Sequence, residues 1–140
     1  IIDLFSRKVI AHKISKKNST QLITSTFKIA HEERHPPSGL IFHSDRGAQY
    51  TSHRFQQLLH EHNTKQSFSQ PGKPHDNAVA ESFFASLKKE ELYRKDHPSD
   101  RVFQACVASY IEFYNTKRPH HTLKNLTPCQ MEESFCAAVK

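Results

Sequence analysis

A short apolar run, Leu40-Ile41-Phe42, lies between two segments with helical spacing, and it constrains the fold more than any other feature. Three apolar residues bounded by polar ones are too few for a core helix, but they suit a buried strand. The flanking segments repeat apolar residues at intervals of three and four, which places them on one helix face. Helices on both sides of a buried strand predict an α/β chain, with helices packed on a sheet.

The remaining segments extend this alternation. We expect two strands within residues 1–14, joined by a turn near Phe5-Ser6-Arg7. The first helix is predicted to begin at Asn18, with Gln21 completing a capping box, and to run to about Glu33. The later predicted elements are a helix that Ser52 caps and Asn63 ends, a strand near residues 66–70, and helices near residues 76–93, 100–115 and from Pro128 onward.

The positive charge is concentrated in the first half of the chain. Of the 140 residues, 20 are Lys or Arg and 14 are Asp or Glu, so the net charge is +6. Residues 1–75 hold eleven Lys/Arg against five Asp/Glu, whereas residues 76–140 hold nine of each. This balance favours a polyanionic partner such as DNA or RNA. No apolar run approaches the roughly 20 residues of a membrane span, so no membrane partner is expected.

Asp45 follows the predicted central strand, in the phrase His43-Ser44-Asp45-Arg46-Gly47. It therefore emerges at the carboxyl end of a strand, the edge of an α/β sheet where ligands bind. Two interpretations of Asp45 are open. Its carboxylate either caps a turn in which Gly47 is left-handed, or it is presented to a divalent cation.

Glu81 lies on a predicted amphipathic helix. Glu81 and Lys88 are seven residues apart, which separates them by only about 20° around a helix. Val79, Phe83 and Leu87 lie roughly opposite and are expected to face the core. A carboxylate and an ammonium group two turns apart suit a metal ligand beside a phosphate contact. The alternative is a solvated face whose charges have no function.

Taken in order, these phrases resemble the integrase-type catalytic core of bacterial insertion-sequence transposases, the DDE family related to retroviral integrases. The resemblance covers nearly the whole chain. It rests on phrases within residues 2–7, 43–50, 76–90, 114–123 and 127–128, together with Ser67, Ser69 and Gly72. It implies an α/β, ribonuclease-H-like mixed sheet flanked by helices, with the first strand missing or incomplete because Ile1 already lies within the sheet. Residues 1–115 would form a partial catalytic core, and residues 116–140 a tail with a short helix in the same domain.

The resemblance also implies an activity: metal-dependent cleavage of DNA ends and strand transfer. Asp45 would be the second acidic metal ligand and Glu81 the third. The family's first catalytic Asp lies upstream of the phrase that contains Asp3, so Asp3 is expected to support a turn instead. Oxygen ligands favour Mg²⁺, with Mn²⁺ as an alternative. We expect the parent transposase to be an enzyme, and this chain alone to be inactive.

The candidate DNA contacts are basic residues. Lys88 matches a basic residue that contacts the transposon end in the family, and Arg46 is a further candidate. Two interpretations of the segment after Tyr114 remain open. Either Lys117, Arg118 and His120 contact DNA or another subunit, or the helix ends there and Arg118 pairs with an acidic residue.

The resemblance implies DNA partners, a homo-oligomer in the active complex, and a bacterial cytoplasmic location with nucleoid association when DNA is bound. One alternative is a catalytically inactive DNA-binding or assembly fragment of a degenerate transposable element. Another is a nuclease of the same fold that hydrolyses DNA without strand transfer. The acidic pair favours an enzyme, and the transposase-like phrases disfavour the nuclease.

Overall fold

The computed structural model describes residues 1–70, 72 and 74–138, and after residue 18 its elements follow the predicted alternation of helices and strands. Two short 3₁₀ turns, Pro74–Asn77 and His121–Leu123, accompany the main elements. The main elements are α1 (Thr20–Arg34), β1 (Ile41–Ser44), α2 (His53–Glu61), β2 (Lys65–Phe68), α3 (Ala78–Leu87), a π-helix (Lys88–Leu92), α4 (Asp100–Thr116) and α5 (Pro128–Ala138).

The chain divides into two compact units. The first unit is Ile1 with Ile10–Ala78, so it contains α1, β1, α2 and β2. The second unit is Ile2–Val9 with the chain from Val79 onward, so it contains nearly all of α3, together with α4 and α5. No helix of the described residues is long and apolar enough to cross a membrane.

The core of the first unit is aromatic. Phe27, Phe55, Leu58 and Leu59 are buried together, and Phe42 of β1 packs against them. The rings of Phe42 and Phe55 meet edge to face with centroids 5.2 Å apart, an arrangement that adds to the free energy of burial. Phe55, Leu58 and Leu59 form the buried face of α2, in agreement with the helical spacing predicted for this segment.

Strand β1 is less buried than its composition predicts. It pairs in parallel with β2, with Ile41 opposite Lys65 and Ser44 opposite Phe68. Within the described residues the sheet has these two strands, and the side chain of Ile41 remains 64% exposed. The predicted strand is present but only partly buried: Phe42 packs against the aromatic core, while Ile41, on the opposite side of the pleat, is left exposed.

The two strands predicted within residues 1–14 are reduced to one antiparallel bridge between Ile2 and Val9. The backbone N–H and C=O groups of Val9 form hydrogen bonds with the side-chain amide of Asn115. Its Oδ1 accepts a hydrogen bond from the Val9 N–H, and its Nδ2 donates to the Val9 carbonyl, both at 2.9 Å. A buried side chain from α4 thus takes the place of a neighbouring strand, which satisfies both backbone groups.

Two helix boundaries differ from those predicted. Helix α1 is capped by Ser19, whose Oγ accepts a hydrogen bond from the Leu22 N–H, and not by Asn18. The predicted third helix is α-helical only to Leu87, where a π-helical turn takes over.

The second unit has its own core. Phe83 and Leu87 of α3 pack with residues of α4 and with Val9. The predicted start of α5 is confirmed, because the Thr127 Oγ1 accepts a hydrogen bond from the Gln130 N–H and the Gln130 Oε1 accepts one from the Thr127 N–H.

Candidate active site

Asp45 is the first residue after β1 and its side chain is exposed. One carboxylate oxygen, Oδ1, accepts a hydrogen bond from the Gly47 N–H at 2.9 Å. The predicted capping role is therefore present, but Gly47 does not have the predicted left-handed backbone. A Cβ at this position would lie 3.0 Å from the Asp45 Oδ1, so a larger residue would require the Asp45 carboxylate to shift slightly. This contact fixes one oxygen of Asp45 and leaves the other without a hydrogen bond among the described residues.

The strand that presents Asp45 is clamped to its neighbour by His43. The His43 Nδ1 lies 3.0 Å from the Ser67 Oγ, and its Nε2 lies 3.1 Å from the Ser69 Oγ. Two hydroxyls on β2 and the residue that follows it thus hold one imidazole on β1. His43, Ser67 and Ser69 belong to the phrases that carry the family resemblance, but no contact between them was predicted. Ser67 and Ser69 lie two positions apart along an extended segment, which places them on one face.

Glu81 on α3 and Lys88, the first residue of the π-helix, are both exposed. Phe83 and Leu87, predicted to face the core, are buried, while Val79 is half-buried. Glu81 and Lys88 form no ion pair among the described residues. The sequence-based division of this helix into a packed face and a charged face is confirmed.

An open depression of about 520 Å³ lies on this charged side of the second unit. It is lined by Glu81, Phe84, Ala85, Lys88 and Tyr93. Phe84 and Tyr93 were not identified from the sequence as site residues. They could have been identified as two large aromatic residues that lie outside the predicted buried face of the helix.

Asp3 is engaged in a turn, as predicted. Its Oδ1 accepts hydrogen bonds from the Phe5 N–H at 2.9 Å and the Ser6 N–H at 2.8 Å. The next residue of this turn, Arg7, has a positive φ of 64°. These contacts support the structural role that was expected for Asp3.

Arg118 pairs with an acidic residue, which was the second of the two interpretations that the sequence left open. Its guanidinium pairs with Glu90, with Nη2 2.7 Å from Oε1 and Nε 2.9 Å from Oε2. The Tyr110 hydroxyl donates to the same Glu90 Oε2 at 2.8 Å. The hydrogen bond from Arg118 is the main cause that lowers the pKa of Glu90, with Tyr110 contributing and burial opposing.

His120 is buried, in contrast to its predicted role as a DNA contact. Its Nε2 lies 3.3 Å from the Tyr114 carbonyl oxygen, and the two rings meet edge to face at 4.4 Å. Burial lowers the pKa of His120, which disfavours a charged imidazole. Arg46 and Lys117 are exposed, and the Arg46 guanidinium lies over the Phe68 ring at 5.7 Å.

The described residues contain no cluster of three or more His, Cys, Asp or Glu side chains arranged for a metal ion. Asp45 belongs to the first unit and Glu81 to the second. Both carboxylates are exposed, and neither is neutralised by a cation of the described residues. Each carboxylate is an oxygen donor of the kind that hard divalent cations bind.

The chain matches two family models, both described as integrase core domain, over residues 1–74 and 62–128. It is 37% identical over 130 residues to the putative transposase InsK for insertion sequence element IS150 of Escherichia coli, covering 93% of this chain and 46% of that protein. It is 38% identical over 133 residues to the transposase for IS904 of Lactococcus lactis, covering 94% of this chain and 53% of that protein. The chain thus spans about half the length of these relatives.

The crystal structure of the catalytic core domain of BIV integrase is similar in fold. It superposes with a TM-score of 0.66 at 19% sequence identity, over 91% of this chain and 80% of that one. At this level of identity the likeness concerns the fold alone. The predicted ribonuclease-H-like α/β fold is confirmed.

Proposed function

Because the chain belongs to the integrase core domain family, we propose that it is the catalytic core of a bacterial insertion-sequence transposase. The proposed activity is cleavage at the ends of the element and transfer of the exposed 3′-hydroxyls to target DNA. The observation that carries the proposal is the division of α3 and the adjoining π-helix into two faces: Phe83 and Leu87 are buried, whereas Glu81 and Lys88 are exposed.

Asp45 and Glu81 are the proposed metal ligands, and Mg²⁺ is the proposed metal, with Mn²⁺ able to replace it. Two observations support this assignment: both carboxylates are exposed, and the Gly47 N–H orients one oxygen of Asp45. Divalent ions at such a site stabilise the attacking and leaving oxygens of a phosphoryl transfer. No ligand role is proposed for Asp3, because its Oδ1 accepts hydrogen bonds from two backbone N–H groups.

The proposed DNA contacts are the exposed cations Lys88, Arg46 and Lys117, which would bind phosphates. Arg118 and His120 are assigned a supporting role instead. Arg118 is paired with Glu90, and His120 is buried against Tyr114. The active complex is proposed to be a homo-oligomer on DNA in the bacterial cytoplasm, associated with the nucleoid.

An end-joining assay tests this function in a full-length transposase that contains the chain. Labelled DNA carrying the element's ends is incubated with Mg²⁺, and nicked and joined products are separated. Asp45→Asn and Glu81→Gln are expected to abolish both products, because each change removes a charged ligand at nearly constant size. The control Glu112→Gln alters an exposed carboxylate on α4 and should leave both products unchanged. Strand transfer that survives Glu81→Gln would overturn the proposal.

A further inference from the structure

Two large aromatic side chains are exposed beside Glu81 and Lys88. Phe84 is 54% exposed and Tyr93 is 77% exposed. A single exposed ring is ordinary on a protein surface. What distinguishes this pair is that both rings line one depression together with a carboxylate and an ammonium group.

The backbone places Tyr93 there through the π-helix. In a regular α-helix, residue 93 would lie about 120° around the axis from Glu81, whereas Phe84, Ala85 and Lys88 lie within about 60°. The Tyr93 N–H instead donates to the Lys88 carbonyl, five residues back, at 2.9 Å. This widened turn accompanies the placement of Tyr93 in the lining of the depression. Such π turns are rare in proteins, and those that occur are frequently found at functional sites.

Phe84 is supported from below. Its ring contacts the buried ring of Phe83 with centroids 5.4 Å apart and planes inclined at 66°. Because Phe83 is fixed in the core of the second unit, Phe84 is braced while much of its surface stays open. A braced, open ring is the form of a stacking platform.

We propose that Phe84 and Tyr93 stack on an unpaired nucleobase at the DNA end, while Lys88 binds an adjacent phosphate. This inference rests on the proposed function, from which it takes DNA as the ligand. A nucleotide offers an aromatic face and an anionic group, and the depression offers aromatic rings and a cation that complement them. Inside a duplex both faces of each base are covered, so the nucleotide that stacks here is a frayed or flipped one.

The test uses 2-aminopurine, whose fluorescence falls when it stacks on an aromatic ring. The probe is a DNA duplex with this base unpaired at one end, titrated with the full-length transposase in Ca²⁺ to prevent cleavage. The wild-type protein should quench the fluorescence. Phe84→Ala and Tyr93→Ala should remove most of the quenching and weaken binding about tenfold each, in line with the known range for one stacked base. A duplex with the same base paired internally should show little quenching.

Three variants locate the effect. Tyr93→Phe keeps the ring and should keep the quenching, whereas Tyr93→Leu keeps apolar bulk without a π face and should lose it. Phe135→Ala is the matched control, because Phe135 on α5 is also 54% exposed and lies outside the depression. Quenching that persists in Phe84→Ala and Tyr93→Ala would overturn the inference. An equal loss of quenching in Phe135→Ala would also overturn it. If the ring variants changed the sedimentation of the protein but not the quenching, the rings would be assigned to contact between copies of the chain.

Glu81→Gln separates this inference from the proposed function. That variant should lose cleavage and joining but retain full quenching, since the rings are untouched. Absence of quenching by a wild-type protein that still requires Glu81 for cleavage would refute the stacking role and leave the proposed function standing. Quenching together with joining that survives Glu81→Gln would instead refute the proposed function.

Discussion

Glu90→Gln should destabilise the second unit, because three donor groups form hydrogen bonds with the Glu90 carboxylate. Its carboxylate accepts from the Arg118 Nη2 at 2.7 Å and Nε at 2.9 Å, and from the Tyr110 hydroxyl at 2.8 Å. Glutamine keeps one acceptor oxygen but loses the charge and the paired geometry. Hydrogen bonds to charged groups contribute about 1.5–3 kcal/mol each when buried. The Glu90 and Arg118 side chains are 29% and 25% exposed, so water compensates part of the loss. We expect a decrease of about 2 kcal/mol in the free energy of unfolding.

Urea unfolding of the purified chain measures this change. The matched control is Glu91→Gln, which breaks an ion pair with Lys95, whose side chain is 59% exposed, and should have a smaller effect. The effect of Glu90→Gln should also depend on pH. Since the folded pKa of Glu90 is depressed, its contribution is present above the ordinary value of 4.5 and is lost as the pH falls through the folded pKa. Equal destabilisation by the two variants, or a difference that grows on acidification below that value, would refute this reasoning.

Three further predictions concern a buried amide, a helix cap and a phosphate contact. Asn115→Ala should lower the free energy of unfolding by about 2–3 kcal/mol, because two buried backbone groups lose their partner; urea unfolding measures it. Ser19→Ala should lower the free energy of unfolding by about 1 kcal/mol and Asn18→Ala by much less, because the Ser19 side chain caps α1. Thermal unfolding of both variants measures this, and a larger loss for Asn18→Ala would contradict it. Lys88→Ala should weaken DNA binding and reduce the slope of log affinity against log salt concentration by about one, whereas Lys89→Ala should change neither. Fluorescence anisotropy measures both slopes, and equal slopes for the two variants would show that Lys88 does not contact a phosphate.

The α3 segment shows what the sequence predicts well. Its packed and charged faces follow from helical spacing alone, and the buried Phe83 and Leu87 agree with that prediction. The π turn that follows was not predictable in this way. Lys88–Leu92 consists of good helix formers, so local preference indicates a continued α-helix. The turn coincides with the Glu90–Arg118 contact, which joins residues 28 apart in sequence.

Long-range contacts also explain the other differences. An apolar run indicates that a segment prefers burial, but it does not show whether another element covers each side, and Ile41 remains largely exposed. Val9 was expected to continue a strand, yet Asn115, 106 residues away, takes its free edge. Asn18 and Ser19 are both good caps, so composition alone did not separate them. By contrast, the turn role of Asp3 is local and was predicted correctly.

Replacing Glu81 by cysteine tests most directly whether this residue holds a catalytic metal. A thiolate is a poor ligand for Mg²⁺ and a better one for softer ions such as Mn²⁺. The measurement is strand transfer by the full-length Glu81→Cys transposase in Mg²⁺ and in Mn²⁺, with Glu112→Cys as the control. If Glu81 holds the metal, Glu81→Cys loses activity in Mg²⁺ and partly recovers it in Mn²⁺, and the control shows no such switch. Full activity of Glu81→Cys in Mg²⁺ would contradict it.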